Sequence, residues 1–330
     1  MMHAISIAIA ATALAGPLDP PAGSITPTPG PEPRIAINAV NTPGDNDATP
    51  SQFKITQPGS YYLEANITVN GAKNGIEIAA LHGVTIDLNG FVLSGGINGP
   101  ISGIIVTGGG GKTGIVVKNG TVRNWRDTGI DFSALGVASG MISGVHVADC
   151  DGDGINTPSA ERAMIIKDCT AYRNDGTGIV VTKAHITDCT ASGNGVDGIA
   201  IGDASTIIGC TASDNTGAQI SGTNYNLVLN NNCHGNGFAN SATGIYMHGT
   251  RNRIEGNQCS STDRGIRVDG ADNVIIRNTC TDHTAAWQIA ANNVIGPIVN
   301  RITAAHTPIN GNGNANSTMS TTDPYANFTY

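Results

Sequence analysis

Apolar and polar positions alternate along the middle of the chain, and the same short alternation keeps returning. Ile179 and Val181 flank Val180, and Cys189 and Ala191 flank Thr190. A period of two with β-branched residues predicts strands, not helices. Three near-copies stand between Gly144 and Asp214: Ile165-Ile166-Lys167-Asp168-Cys169-Thr170-Ala171, His185-Ile186-Thr187-Asp188-Cys189-Thr190-Ala191 and Thr206-Ile207-Ile208-Gly209-Cys210-Thr211-Ala212. Gly178-Ile179-Val180-Val181 and Gly198-Ile199-Ala200-Ile201 precede copies in the same phase. Successive cysteines, from Cys150 to Cys280, lie 19, 20, 21, 23, 26 and 21 residues apart. Self-similarity at such a period predicts a solenoid. Turn residues such as Asn174-Asp175-Gly176 and Gly193-Asn194-Gly195 divide each copy into three short strands. Each strand then pairs with its equivalent one coil later, about 4.8 Å away and parallel.

A leucine-rich repeat has a similar period but needs a Leu-x-x-Leu-x-Leu frame and a helical side, and neither is visible. The G-I-x-V and N-x-[V/I/C] cadence resembles the parallel β-helix repeat proteins of the pectin-lyase-like superfamily, over roughly residues 75–309. That resemblance implies an all-β fold: a single-stranded, right-handed parallel β-helix of about ten three-strand coils with an irregular N-terminal cap. It is specific for fold and silent on reaction.

In chain order, residues 1–16 read as a secretory signal, with an apolar core from Ala4 to Ala10 and a small-residue exit, Ala13-Leu14-Ala15-Gly16. Residues 17–33, rich in Pro, read as a linker. Residues 34–70 read as the cap over an otherwise open strand edge. The β-helix is expected over residues 71–309, and residues 310–330 read as a tail whose aromatic end docks on the last coils. The early coils are longer, with extra residues at 95–102, 108–111 and 133–140, and projecting loops are where solenoids carry function. No apolar run reaches the length of a membrane span.

Composition narrows the partners. The 330 residues carry a net charge of -8, with 13% charged side chains and 44 glycines. This argues against non-specific binding to nucleic acid or anionic lipid. The seven cysteines read as one inward column of small buried hydrophobes, since parallel side chains on stacked strands would strain a disulfide. Soft-metal binding by that column would need the thiolates to face a common cavity.

Candidate chemistry falls in three places. Asp149, Asp151 and Asp153 match the opening D-x-D-x-D-G of a calcium loop, so Ca2+ is the cofactor they would take; Ala160 stands at the twelfth position, where the loop needs Glu. Arg123, Arg126, Asp127 and Asp131 form a candidate catalytic set, and Trp125 among them would stack on a sugar ring. Polysaccharide lyases of the resembled superfamily pair a basic residue with calcium or Arg on a uronate; no lyase or polygalacturonase signature matches residue by residue. Later, Tyr246, Arg264 and Arg267 form a candidate sugar-binding patch, with Asp263 and Asp269 offering the competing reading of Arg–Asp pairs. The expectation is an exported, periplasmic or cell-surface protein, glycan-binding or structural, with a polysaccharide as partner and homo-oligomers open. The alternatives are a carbohydrate-active lyase, hydrolase or epimerase on an acidic polysaccharide, and a metal-handling helper without the Met/His cluster that role needs.

Overall fold

The computed structural model describes residues 34–47, 50–96, 101–133, 137–158, 164–235, 242–300 and 321–329. The expected signal (1–16), the linker (17–33), most of the tail and parts of two long early loops lie outside them. The chain winds as a parallel β-helix with three faces. Eleven strands, from Ser51–Ile55 to Ala285–Ile289, stack into the first face. The second and third faces are joined into one 22-stranded sheet, because Lys112–Arg123 and Val137–Ala148 turn the corner without a break.

Register explains the alternation. Ile155, Ile179, Ile199, Ile220, Ile245 and Ile266 stack rung on rung, all inward and fully buried. The glycine opening each G-I-x-V piece is also explained. A Cβ on Gly154 would lie 2.5 Å from the carbonyl of Gly178, and one on Gly178 2.6 Å from that of Gly198. These glycines are fixed by space, because the next coil's backbone occupies the side-chain position. The corner between the second and third faces is instead fixed by backbone conformation. Asn119, Gly144, Asp168, Asp188, Gly209, Asn230 and Gly256 occupy it in successive coils, all with φ between 53° and 69°. Left-handed backbone favours Gly, Asn and Asp, hence the Asp or Gly before each cysteine of the three copies.

The cysteines do not share one column. Cys169, Cys189 and Cys210 precede Thr170, Thr190 and Thr211, which are in register with one another. Cys233 pairs with Ala212, and Cys259 and Cys280 continue above it. Cys150, whose N–H donates to Asn174 Oδ1 at 3.2 Å, belongs to a third column. The 23-residue step from Cys210 to Cys233 is one two-residue strand period longer than the coil, so the thiol stays inward while changing column. All seven are buried and free. Burial pushes the Cys150 thiol up to about 12.

Asparagine takes the place that cysteine leaves. Cys210 N–H donates to Asn231 Oδ1 at 2.9 Å, and Asn231, Asn257, Asn278 and Asn327 continue upward, each N–H on the next amide oxygen. Two further ladders run through Asn174, Asn194 and Asn215, and through Asn226, Asn252, Asn273 and Asn293. They satisfy the corner backbone groups that no strand can reach.

The coils begin earlier than the sequence pattern suggests. Ser51–Ile55, Gly59–Tyr62 and Ile67–Val69 already form a complete rung beneath Asn74–Ile78, Val84–Asp87 and Val92–Gly95. Their repeat signature is missing because the tyrosines and Pro58 interrupt the cadence. The irregular cover is residues 34–47 and Pro50, which put Ala36 and Ile37 over the first coil. At the other end, Asn327–Thr329 inserts as a strand between Thr279–Thr281 and Ile298–Asn300, so the end of the expected tail is part of the solenoid. Arg277 stacks over Tyr325 at 5.1 Å and donates to the Pro324 carbonyl.

Candidate functional site

Ion pairing separates the charged side chains into two classes. In the late coils nearly every arginine is paired. Arg267 lies 4.3 Å above the Tyr246 ring and donates to both Asp269 oxygens, at 2.9 and 2.8 Å. The Tyr246 hydroxyl donates to the same carboxylate at 2.6 Å. The Arg267 guanidinium holds the Asp269 carboxyl below the usual range. Arg264 pairs with Asp263 at 3.1 Å and donates to Gln288, while Arg253 and Arg277 share Glu255. Tyr246, Arg264 and Arg267 therefore form the Arg–Asp network that competed with the sugar-binding reading.

In the early coils the predicted charges are left open. Among the described residues Arg123, Arg126 and Asp151 have no ion-pair partner. Arg126 and Asp151 line an open cleft of about 960 Å³ with Thr68, Asn70, Ser94, Asn124 and Asp149. Arg123 stands one rung above Ser94 in the same outward column. Four consecutive rungs thus bring together hydroxyls, amides, the unpaired Arg126 and the unpaired Asp151. Sequence reading missed Thr68, Asn70, Ser94 and Asn124, because their convergence depends on a register spanning some 50 residues.

Trp125 requires a correction. Its side chain is 1% exposed and belongs to the core, against Gly75 and Gly103, so it presents no ring for a sugar to stack on. It follows the corner Asn124 at an inward position, equivalent to Cys150 and Asn174 above it. Its Nε1 has no acceptor among the described residues.

The three aspartates of the calcium-like run do not converge either. Asp149 takes the left-handed corner (φ 56°) and pairs with Arg173 at 2.7 Å. Asp151 faces the cleft, and Asp153 accepts the Thr177 N–H at 2.7 Å. The carboxylates that do converge among the described residues are Asp45, Asp47 and Glu77, with oxygens within 4.8 Å of one another. Lys54 already sits among them, bonded to all three. Asp45 foremost, then Glu77 and Asp47, hold its ammonium above the usual range.

A different acidic group forms where two predicted sets meet. Burial raises Asp127 and Asp153 above the ordinary carboxylate range, and the charge of Asp131 adds to both. The Asp127 charge acts on Asp153 as well, while the Thr177 N–H opposes the rise. Asp127 follows Arg126 in the chain, but neither Asp127 nor Asp153 lines the cleft that Arg126 lines.

A carboxyl raised in the folded state binds its proton there first, so folding loses stability as pH rises through its titration. Asp127→Asn removes this loss. It should raise the melting temperature at neutral pH, by the equivalent of at most about 0.5 kcal/mol because the side chain is solvent-screened. The gain should vanish below the carboxylate range. A gain that persists at pH 3 would show that mutual repulsion is not its source.

Comparisons with known proteins agree with the architecture. A search of curated proteins found no match. The A-module of the Azotobacter vinelandii mannuronan C-5 epimerase AlgE4 superimposes with a TM-score of 0.53 at 14% identity, covering 80% of this chain and 88% of its own. The A-module of AlgE6 from the same organism gives 0.45 at 13% identity, covering 80% and 87%. The enzymatically active domain of tailspike protein 2 of bacteriophage CBA120 gives 0.46 at 14%, covering 76% and 47%. At these identities the likeness is one of fold. The family model described as right handed beta helix region matches residues 65–233 and 182–325, and the chain belongs to that right-handed β-helix family.

Proposed function

We propose that the protein is a glycan-binding β-helix protein whose early-coil cleft takes an acidic polysaccharide. The observation that carries this reading is the unpaired Arg126 in a cleft lined by hydroxyl and amide groups, with Asp149 held by Arg173 and Asp151 as the one unpaired carboxylate, in a chain that pairs most of its other arginines internally. A guanidinium with free donors suits a carboxylate or sulfate, and Thr68, Asn70, Ser94 and Asn124 suit sugar hydroxyls. With Trp125 buried, recognition rests on these polar groups and not on stacking. The similarity to a protein described as a mannuronan epimerase supports the same substrate class at the level of the fold. The apolar start at residues 1–16 supports export, which the mass of the mature protein would test.

A second reading, a carbohydrate-active enzyme, is favoured by Asp127 and Asp153. Carboxyls raised by burial and mutual charge keep their protons to a higher pH than ordinary ones, which suits a proton donor. One experiment separates the readings: binding and turnover of a panel of neutral and uronate polysaccharides, with and without calcium. Arg126→Ala should weaken binding of the acidic members by about ten- to a hundredfold and spare the neutral ones, since a lost charge-assisted hydrogen bond costs about 1.5–3 kcal/mol. Turnover lost in Asp127→Asn with binding retained would establish the enzyme. No binding to any member would leave a structural rod and end the glycan reading.

A further inference from the structure

One charged cluster joins the N-terminal cover to the first two coils. Asp45, near the end of the cover, runs antiparallel to the start of the first strand. Its N–H donates to the Ser51 carbonyl at 3.1 Å, and Pro43 bridges Phe53. Gly44 permits this approach, since a Cβ there would lie 2.2 Å from the Ser51 carbonyl oxygen. The Asp45 side chain turns to Lys54, and its Oδ2 is in close contact with Lys54 Nζ. Both side chains are mostly covered, Lys54 at 22% exposure and Asp45 at 23%.

Three further groups surround that contact. Glu77, from the second coil, is 1% exposed and places Oε1 3.0 Å from Lys54 Nζ. Its carboxylate is fixed from both sides. Ser51 Oγ donates to Oε2 at 2.9 Å, and Thr107 Oγ1, one coil on, donates to Oε1. The Ser51 N–H donates to Asp45 Oδ1 at 3.1 Å. A carboxylate oxygen of Asp45 and one of Glu77 lie within 4.8 Å of each other. An amine, a carboxyl carbon, an N–H on the far carboxyl oxygen and a buried carboxylate therefore meet at one point. Amide formation needs those parts: a nucleophile in place, an oxyanion donor and a proton carrier.

We propose that Lys54 and Asp45 condense into an intramolecular isopeptide bond, with Glu77 carrying the protons. Lys54 Nζ bonds to Asp45 Cγ, and the bond from Cγ to Oδ2 breaks. The Ser51 N–H stabilises the negative charge that develops on Oδ1, which remains as the amide carbonyl oxygen. Of the three ammonium protons, one stays on the amide nitrogen. Glu77 relays the other two to Oδ2, which leaves as water, and Glu77 ends as it began. No oxidant or co-reactant is consumed. Asp45 foremost, with Glu77 and Asp47, holds Lys54 charged, so the neutral amine beside a protonated carboxyl is a minor form. A bond made once per chain tolerates that slow step, because the folded chain keeps the reactants in contact. The product removes two opposite charges from a mostly covered site and ties the cover covalently to the first coil.

Peptide mapping of the purified full chain, denatured before digestion, tests this. Trypsin cuts after free lysine and arginine, so the bond protects position 54. The expected peptide runs from Ile35 to Lys73, is lighter than its sequence by one water, and gives fragments joining Asp45 to Lys54. Lys54→Arg keeps the charge without the nucleophile and should restore the full mass and cleavage at residue 54. Glu77→Gln keeps the Lys54–Asp45 pair without the proton carrier and should leave most chains unlinked. Circular dichroism checks that both variants fold, and the parent's own map decides the proposal if either does not. Complete cleavage after Lys54 in the parent would overturn it, as would a link from Lys54 to Asp47 or Glu77. A water loss that persists in Lys54→Arg would assign it to a succinimide, and undiminished linkage in Glu77→Gln would remove the proton carrier; either result sinks the mechanism.

Discussion

Asn194→Ala is expected to cost the protein about 3 kcal/mol or more, a large share of the stability of an ordinary domain. The Asn194 amide oxygen accepts from both the N–H and the Nδ2 of Asn174, at 3.1 and 3.0 Å. Its Nδ2 donates to Asn215 Oδ1 at 2.8 Å and to the Ala171 carbonyl at 3.2 Å. The site is buried, so water cannot replace the lost partners. Alanine leaves two donors of Asn174 without an acceptor, and each buried orphan costs about 1–3 kcal/mol. Asn194→Asp keeps the acceptor but loses both donor bonds and buries a charge, so it should be at least as damaging at neutral pH. Acidification should rescue part of that loss, as the carboxyl takes up a proton. Urea unfolding of the three proteins at two pH values measures this. An alanine variant within 0.5 kcal/mol of the parent, on the ~1 kcal/mol scale of an ordinary substitution, would mean the ladder is decorative.

The second large effect concerns volume. Gly178→Ala places a methyl 2.6 Å from both the Gly198 carbonyl and Asn194 Nδ2. Neither can retreat, since one is the next rung's backbone and the other a ladder amide bonded on both sides. Overpacking of this kind costs about 1–3 kcal/mol, and here the upper part of the range is expected because the coil would have to widen. Gly109→Ala is the matched control. No atom lies within 4 Å of its Cβ position and its φ is ordinary, so its unfolding midpoint should hold or rise slightly. Equal losses at the two sites would overturn the steric account, since a methyl group acting on the unfolded chain stabilises.

The sequence made the fold legible because the coil repeats its own constraints. Each rung must supply an inward β-branched residue, a left-handed corner and a glycine under the next backbone. Ile179, Asp188 and Gly178 show all three within eleven residues. The cysteine columns were read less well. A column is defined by register, and a two-residue shift at Cys233 preserves the inward direction while changing the neighbour. The candidate site was legible in part. Arg126 and Asp151 were singled out by type and lie in one cleft, yet Trp125 beside them faces the core. Only one residue separates an inward from an outward position after a corner, and sequence cannot say how many residues the corner consumes.

Alternation, coil period and turn chemistry are local, so the amino-acid sequence by itself determined that this chain winds into parallel coils and which side chains of the regular strands line the core. What touches what across coils was decided by the tertiary structure. Stacking joins residues 20 to 30 apart at each step, and only the accumulated register brings Thr68, Ser94 and Arg126 to one cleft, or aligns Lys54 with Glu77. The same holds at the ends. Nothing local distinguishes Ile295 from Ile275, yet Ile275 is sealed by the next coil and Ile295 has no coil above it among the described residues.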